Sequence, residues 1–186
     1  KERLANGTVF DPDKEIIITA GACEAITCAL IVLFERGDEI IVPSPYFPVY
    51  YESAAMLGLK IVEVPLSIDN DFEIDIDNLK DAVTDRTRGI IVNTPANPTG
   101  KVMSLDSLKE IAKIVKERDL TVISDETYDQ FIFSGTHYSI RNLDDMRDRT
   151  IVINSASKTF SMTGWRIGYL IAPAKFIPYL SKAHQS

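Results

Sequence analysis

Cysteine and histidine are scarce: the 186 residues hold two of each, with a single tryptophan. Cys23 and Cys28 fall within one segment that reads as a helix. Their spacing suits neither a disulfide framework nor a zinc knuckle, and two histidines are few for a structural metal. Both read as small core residues, consistent with a reducing, cytoplasmic setting. Basic charge is short as well. Lys and Arg number 20 against 27 Asp and Glu, for a net charge of -7, which argues against a nucleic-acid surface. No apolar run approaches the length of a membrane span. The opening Lys1-Glu-Arg-Leu-Ala-Asn-Gly7 has no apolar signal core. No repeat, low-complexity tract or linker divides the chain, which reads as one domain.

What is present is alternation. Short β-branched runs recur at Glu15–Thr19, Glu39–Val42, Lys60–Val64, Gly89–Val92, Thr121–Ser124, Ile151–Asn154 and Arg166–Ala172. Several are continuous Ile/Val runs, as expected of parallel strands covered on both faces. Helical segments lie between them. Ser104 is placed to cap a helix whose Leu108, Ile111, Ala112 and Val115 share a face, with Lys109, Glu110, Lys113 and Lys116 towards water. Ala22–Phe34 reads as a second helix, and Tyr50–Leu57 and Asp75–Val83 as weaker ones. The pattern predicts an α/β fold: a three-layer α/β/α arrangement around a mostly parallel, seven-stranded sheet.

In such sheets ligands bind beyond the carboxyl ends of the strands, so the residues that follow each strand matter most. Thr19-Ala-Gly-Ala-Cys-Glu-Ala25 is a small-residue turn opening a helix. Its amides at Ala22 and Cys23 suit a phosphate, although tight packing explains such a turn equally well. Pro43-Ser-Pro-Tyr-Phe-Pro48 holds Tyr46 and Phe47 in a proline-stiffened loop, where a ring could stack on a flat ligand or simply be buried. Asn93-Thr-Pro-Ala-Asn-Pro-Thr-Gly100 is either a turn or a rigid mount for the Asn97 amide. Asp125 is either a helix cap or a buried counter-charge, with Tyr128 on the same side of the turn. Finally Ser155, Ser157, Lys158 and Arg166 surround the last crossover. Two hydroxyls and two cations can hold a phosphate dianion, while Lys158 could equally be a nucleophilic amine.

Together, Asn97-Pro-Thr-Gly100, Asp125-x-x-Tyr128, Ser155-x-Ser-Lys158 and Gly164-Trp-Arg-Ile-Gly-Tyr169 resemble the class I/II aminotransferases, fold-type I enzymes that use pyridoxal 5'-phosphate. The resemblance covers nearly the whole chain. It implies that Lys158 forms the Schiff base and moves the Cα proton, and that Asp125 pairs with the pyridinium nitrogen. It further implies that Tyr128 and Asn97 bond the phenolic oxygen, and that Phe47 stacks on the ring. Ser155, Ser157, Arg166 and the amides of Ala22 and Cys23 would hold the phosphate, with Asn93 near the substrate. By the same resemblance, residues 1–186 form the cofactor-binding large domain, without the N-terminal segment and the small C-terminal domain. The implied function is amino transfer between an amino acid, aspartate or aromatic, and a 2-oxo acid, in a homodimer. A lyase on the same fold (C–S β-lyase or aminocyclopropane-carboxylate synthase type) and a non-catalytic regulator domain are the alternatives.

Overall fold

A computed structural model describes residues 10–185; the opening seven residues read above lie outside that range. Among the described residues seven strands are present: β1 Ile16–Thr19, β2 Glu39–Ser44, β3 Lys60–Pro65, β4 Thr87–Asn93, β5 Thr121–Asp125, β6 Thr150–Ser155 and β7 Gly168–Ile171. They form one sheet in the order β1-β7-β6-β5-β4-β2-β3. Only β7 runs against its neighbours, pairing antiparallel with both β6 and β1; every other pairing is parallel. The α/β expectation therefore holds, with one reversed strand near the edge.

In the described residues, seven α-helical segments accompany the sheet: α1 Pro12–Glu15, α2 Ala22–Leu33, α3 Val49–Leu57, α4 Ile76–Asp81, α5 Leu105–Glu117, α6 Ala156–Thr159 and α7 Ile177–His184. The strand side chains explain the layering. Ile40, Val42, Ile91 and Ile123 join Ala25, Ile26, Ala29 and Leu30 of α2 and Leu180 of α7 in one buried cluster. Their neighbours Ile41, Ile90, Val92 and Val122 join Leu79 of α4 and Leu108, Ile111 and Val115 of α5 in another. Successive side chains on a strand point to opposite faces, so Ile/Val runs bury both faces and demand helices on each. α5 begins at its expected cap, with Ser104 accepting from the Ser107 N–H at 3.1 Å.

Most boundaries shift by one or two residues from the sequence reading, and two of the shifts have a clear physical cause. Glu15 ends the turn α1, capped by Asp11, instead of opening β1. Arg166 lies outside β7, with φ of 54° after the short turn Thr163–Trp165, a left-handed conformation that breaks an extended strand. Cys28 is in the core as expected, whereas Cys23 is only half-buried.

Candidate active site

The topology brings five strand ends to one rim. β1 runs parallel to β6, since both oppose β7, so the carboxyl ends of β1, β2, β4, β5 and β6 lie together. Register carries particular residues there: Gly168 pairs with Thr19 on one side and Ser155 on the other, and Asn93 pairs with Asp125.

One end of the rim is built for an anion. Helix α2 starts at Gly21 with no side chain capping it, so its first amides are open to a ligand. Arg166 lies over this turn, its Nη2 donating to the Ala20 carbonyl at 3.4 Å. The left-handed backbone at Arg166 is what folds the side chain back onto the turn. Gly21 adopts φ of 84°, and a Cβ there would overlap Arg166 Nη2. Below it, a Cβ on Gly168 would overlap the Gly21 carbonyl carbon and lie 2.7 Å from the Ala22 nitrogen. Backbone atoms cannot step aside, so Gly168→Ala is expected to destabilise the fold by about 1–3 kcal/mol. It should also weaken binding of inorganic phosphate, measured by competition with the site's ligand; a neutral outcome in both would contradict the close packing.

The other end holds a buried acid. Asp125, only 4% exposed, accepts from the Tyr50 hydroxyl at 2.7 Å and from the Thr127 N–H at 3.1 Å, one donor on each oxygen. Burial raises its pKa above the ordinary value, and the two donors offset part of that rise. Its neighbour Glu126 is otherwise engaged: Ser124 and Ser139 donate to it at 2.7 and 2.6 Å, and His137 Nε2 lies 3.2 Å away.

Asn93 and Asn97 act as a pair. The Asn93 amide donates to the Asp125 carbonyl at 3.0 Å and its oxygen accepts the Asn97 N–H at 2.7 Å. Asn93 is thus spent on fixing the loop, which leaves Asn97 at its tip. Lys158 on α6 has its Nζ 5.7 Å from the centroid of the Tyr128 ring. Phe47 packs edge-on against Tyr50, their centroids 5.9 Å apart.

The two ends meet in a single cavity of about 230 Å³. Ala22, Cys23, Phe47, Asn97, Asp125, Tyr128, Ser155, Ser157, Lys158 and Arg166 all face it, as do Asn93, Tyr50, Thr127 and Thr163. Cys23 therefore belongs to the cavity wall and not to the core, a correction to the sequence reading. Tyr46 does not line it; its hydroxyl donates to Glu63 at 2.9 Å. Larger depressions lie around Phe133 and Lys101, about 520 Å³, and around Arg147 and Lys175, about 830 Å³. Neither joins a buried carboxylate to an open helix start, so chemistry and not size identifies the site. Sequence reasoning missed Tyr50, Thr127 and Thr163. Signals for the first two were present but faint: Tyr50 follows Phe47 by three positions, and Thr127 follows Asp125 by two.

In sequence and in fold, the chain resembles proteins already known. The family model of aminotransferase class I and II matches residues 2–186. The chain belongs to the class I and II aminotransferases. It is 43% identical over 98% of its length to an aspartate aminotransferase of Pyrococcus abyssi, covering 47% of that protein. It is 44% identical over 93% of its length to an aromatic-amino-acid aminotransferase of Thermococcus litoralis, covering 45% of it. The solved N-succinyldiaminopimelate aminotransferase of Mycobacterium tuberculosis superposes with a TM-score of 0.93 at 42% identity, over 96% of this chain and 47% of that one. The chain thus spans about half the length of the aminotransferases it matches. Among the described residues no helix is long and apolar enough to cross a membrane.

Proposed function

We propose that the protein is a pyridoxal-phosphate-dependent aminotransferase exchanging an amino group between an amino acid and a 2-oxo acid. The observation that carries this reading is one cavity holding a buried acid, an amine and an open helix start beside an arginine. The residues present fit the cofactor. Among the described residues, Ser155 Oγ is buried without a hydrogen-bond partner, and Ser155 lines the cavity, so the site has an unsatisfied donor that a polar ligand would meet.

Bound there, pyridoxal phosphate supplies an aldehyde that condenses with amines and a cationic ring that accepts the electron pair left at Cα. Arg166, Ser155, Ser157 and the Ala22 and Cys23 amides would bind its phosphate, combining a bidentate fork with the α2 dipole. Asp125 would hold a proton on the ring nitrogen. Phe47 would pack on the ring, and Tyr128 and Asn97 would donate to its oxygen. Lys158 would supply the amine that anchors the group and the base that takes the Cα proton and returns it. Residues 1–186 serve as the cofactor-binding large domain.

Aspartate or an aromatic amino acid is the proposed donor, by similarity to the named relatives. The working state is a homodimer, supported by the exposed apolar side chains Phe133, Trp165 and Phe160, at 95%, 72% and 69%. Its two free thiols suit the cytoplasm. Incubating the full-length protein with either amino acid and 2-oxoglutarate should yield glutamate. Pyruvate and ammonia without glutamate would instead identify a lyase and overturn the proposal.

A further inference from the structure

Tyr50 has no part in the chemistry above, yet it is the largest group touching the acid. Its side chain is fully buried, and its hydroxyl donates to Asp125 Oδ2 from α3, 75 positions earlier in the chain. A tyrosine has a single O–H to give, and this one is spent on Asp125. Burial, then the Asp125 charge, holds the phenol's pKa well above its ordinary value, so it stays a neutral donor across the working range. Its ring is clamped by Phe47 and Tyr46, with centroids at 5.9 and 6.3 Å. The donor is therefore fixed in direction as well as in protonation state.

We propose that Tyr50 is a positioning residue for the ring nitrogen of the cofactor, acting through Asp125. By occupying Oδ2 while the Thr127 N–H occupies Oδ1, it keeps the carboxylate charged and leaves its remaining lone pairs for the ligand. This rests on the pyridoxal phosphate reading. The reasoning is one of balance. A carboxylate buried this deeply takes up a proton readily, and a protonated acid no longer pairs with a cationic N–H. A donor to the charged form opposes that. The other titratable groups around Asp125 are Cys23 from α2, Tyr128 beyond β5, and Lys158 and Arg166 across the cavity. Adjacent Glu126, whose charge raises the Asp125 pKa, is held by its serines and His137. Among the described residues, Tyr50 is the strongest side-chain donor to Asp125, ahead of the Thr127 side chain.

The test is cofactor binding to the full-length apoprotein, followed by absorbance from about pH 5 to 9. Tyr50→Phe keeps the ring and its packing but removes the donor. It should weaken binding about ten-fold or more, the worth of a hydrogen bond to a charged group. Removing a donor to the charged form raises the Asp125 pKa, so the pH below which binding fails should move up by about one unit. Replacing Tyr50 with 3-fluorotyrosine, a more acidic donor of nearly the same shape, should move that limb down. With Asp125→Asn as background, Tyr50→Phe should leave the limb where it was. If Tyr50→Phe fails to fold, the fluorotyrosine protein still decides, because a packing role predicts no shift. An unmoved limb in both variants, or an undiminished shift in the Asp125→Asn background, overturns the proposal while leaving the cofactor assignment standing. Failure of the unaltered apoprotein to take up the cofactor overturns the assignment, and this proposal with it.

Discussion

Lys158→Ala in the full-length protein should reduce amino transfer by about 10⁴-fold or more. A positioned general base contributes roughly 10²–10⁴-fold, and the same amine is also the covalent anchor, so one truncation removes two functions. The cavity offers no substitute: its other side-chain nitrogens are the amides of Asn93 and Asn97 and the Arg166 guanidinium, and a guanidinium stays protonated. The decisive measurement is borohydride reduction of the cofactor-loaded protein followed by peptide mass analysis. The unaltered protein should carry the cofactor on Lys158, with loss of its visible absorption band. If the alanine variant kept the same band and the same reduction product, Lys158 would not be the anchor and the proposed site would fail.

Glu15→Ala should have the largest effect on folding, about 3–5 kcal/mol, the range seen when one partner of a buried ion pair is removed. Arg141 is wholly buried, its Nη2 2.9 Å from Glu15 Oε1, and its guanidinium stacks 4.5 Å from the centre of the Phe10 ring. Arg147 reaches the same carboxylate oxygen at 2.8 Å. Among the described residues Arg141 Nε and Nη1 have no hydrogen-bond partner, so Glu15, ahead of the weaker influence of Asp148, is the main charge that makes this guanidinium tolerable in the interior. A double variant, Glu15→Gln with Arg141→Met, should lose less than Glu15→Ala alone, because no buried charge is then left unpaired and Arg147 is half-exposed to water. Denaturant midpoints of the two would decide, and equal losses would refute the account.

The pH dependence has a definite sign. Burial pushes the Glu15 pKa up, but the Asp11 N–H and then Arg147 and Arg141 outweigh it, leaving it below its ordinary value of 4.5. The folded pKa is thus lower than the unfolded one. The stabilisation is complete above the unfolded value and disappears as pH falls through the folded one. The stability difference between the unaltered protein and Glu15→Gln should accordingly shrink on acidification below about pH 4.5.

The sheet was legible in the sequence because strand burial is a local pattern. Runs such as Gly89–Val92 and Thr121–Ser124 have no polar face to offer water, so they announce a strand covered on both sides. The residues lining the cavity were legible for a related reason: they follow the strands, and polar residues directly after an apolar run stand out. That reading gathered ten residues that the fold brings around one cavity. It failed where the deciding neighbour is distant or where backbone geometry is at issue. Arg166 read as strand because its neighbours are apolar, yet its left-handed backbone is what turns it onto Gly21. Cys23 read as core because cysteine usually is, whereas the helix start places it on the cavity wall.

The alternation of strand and helix, the covering of both sheet faces and the cluster of reactive residues at the strand ends were settled by the sequence itself, since each depends on hydrophobic period and chain order. Tertiary structure alone decided which groups share a proton or a charge. Tyr50 meets Asp125 across 75 positions and Arg141 meets Glu15 across 126. Those pairings are set by how helices dock on the sheet, and no local period in the chain encodes them.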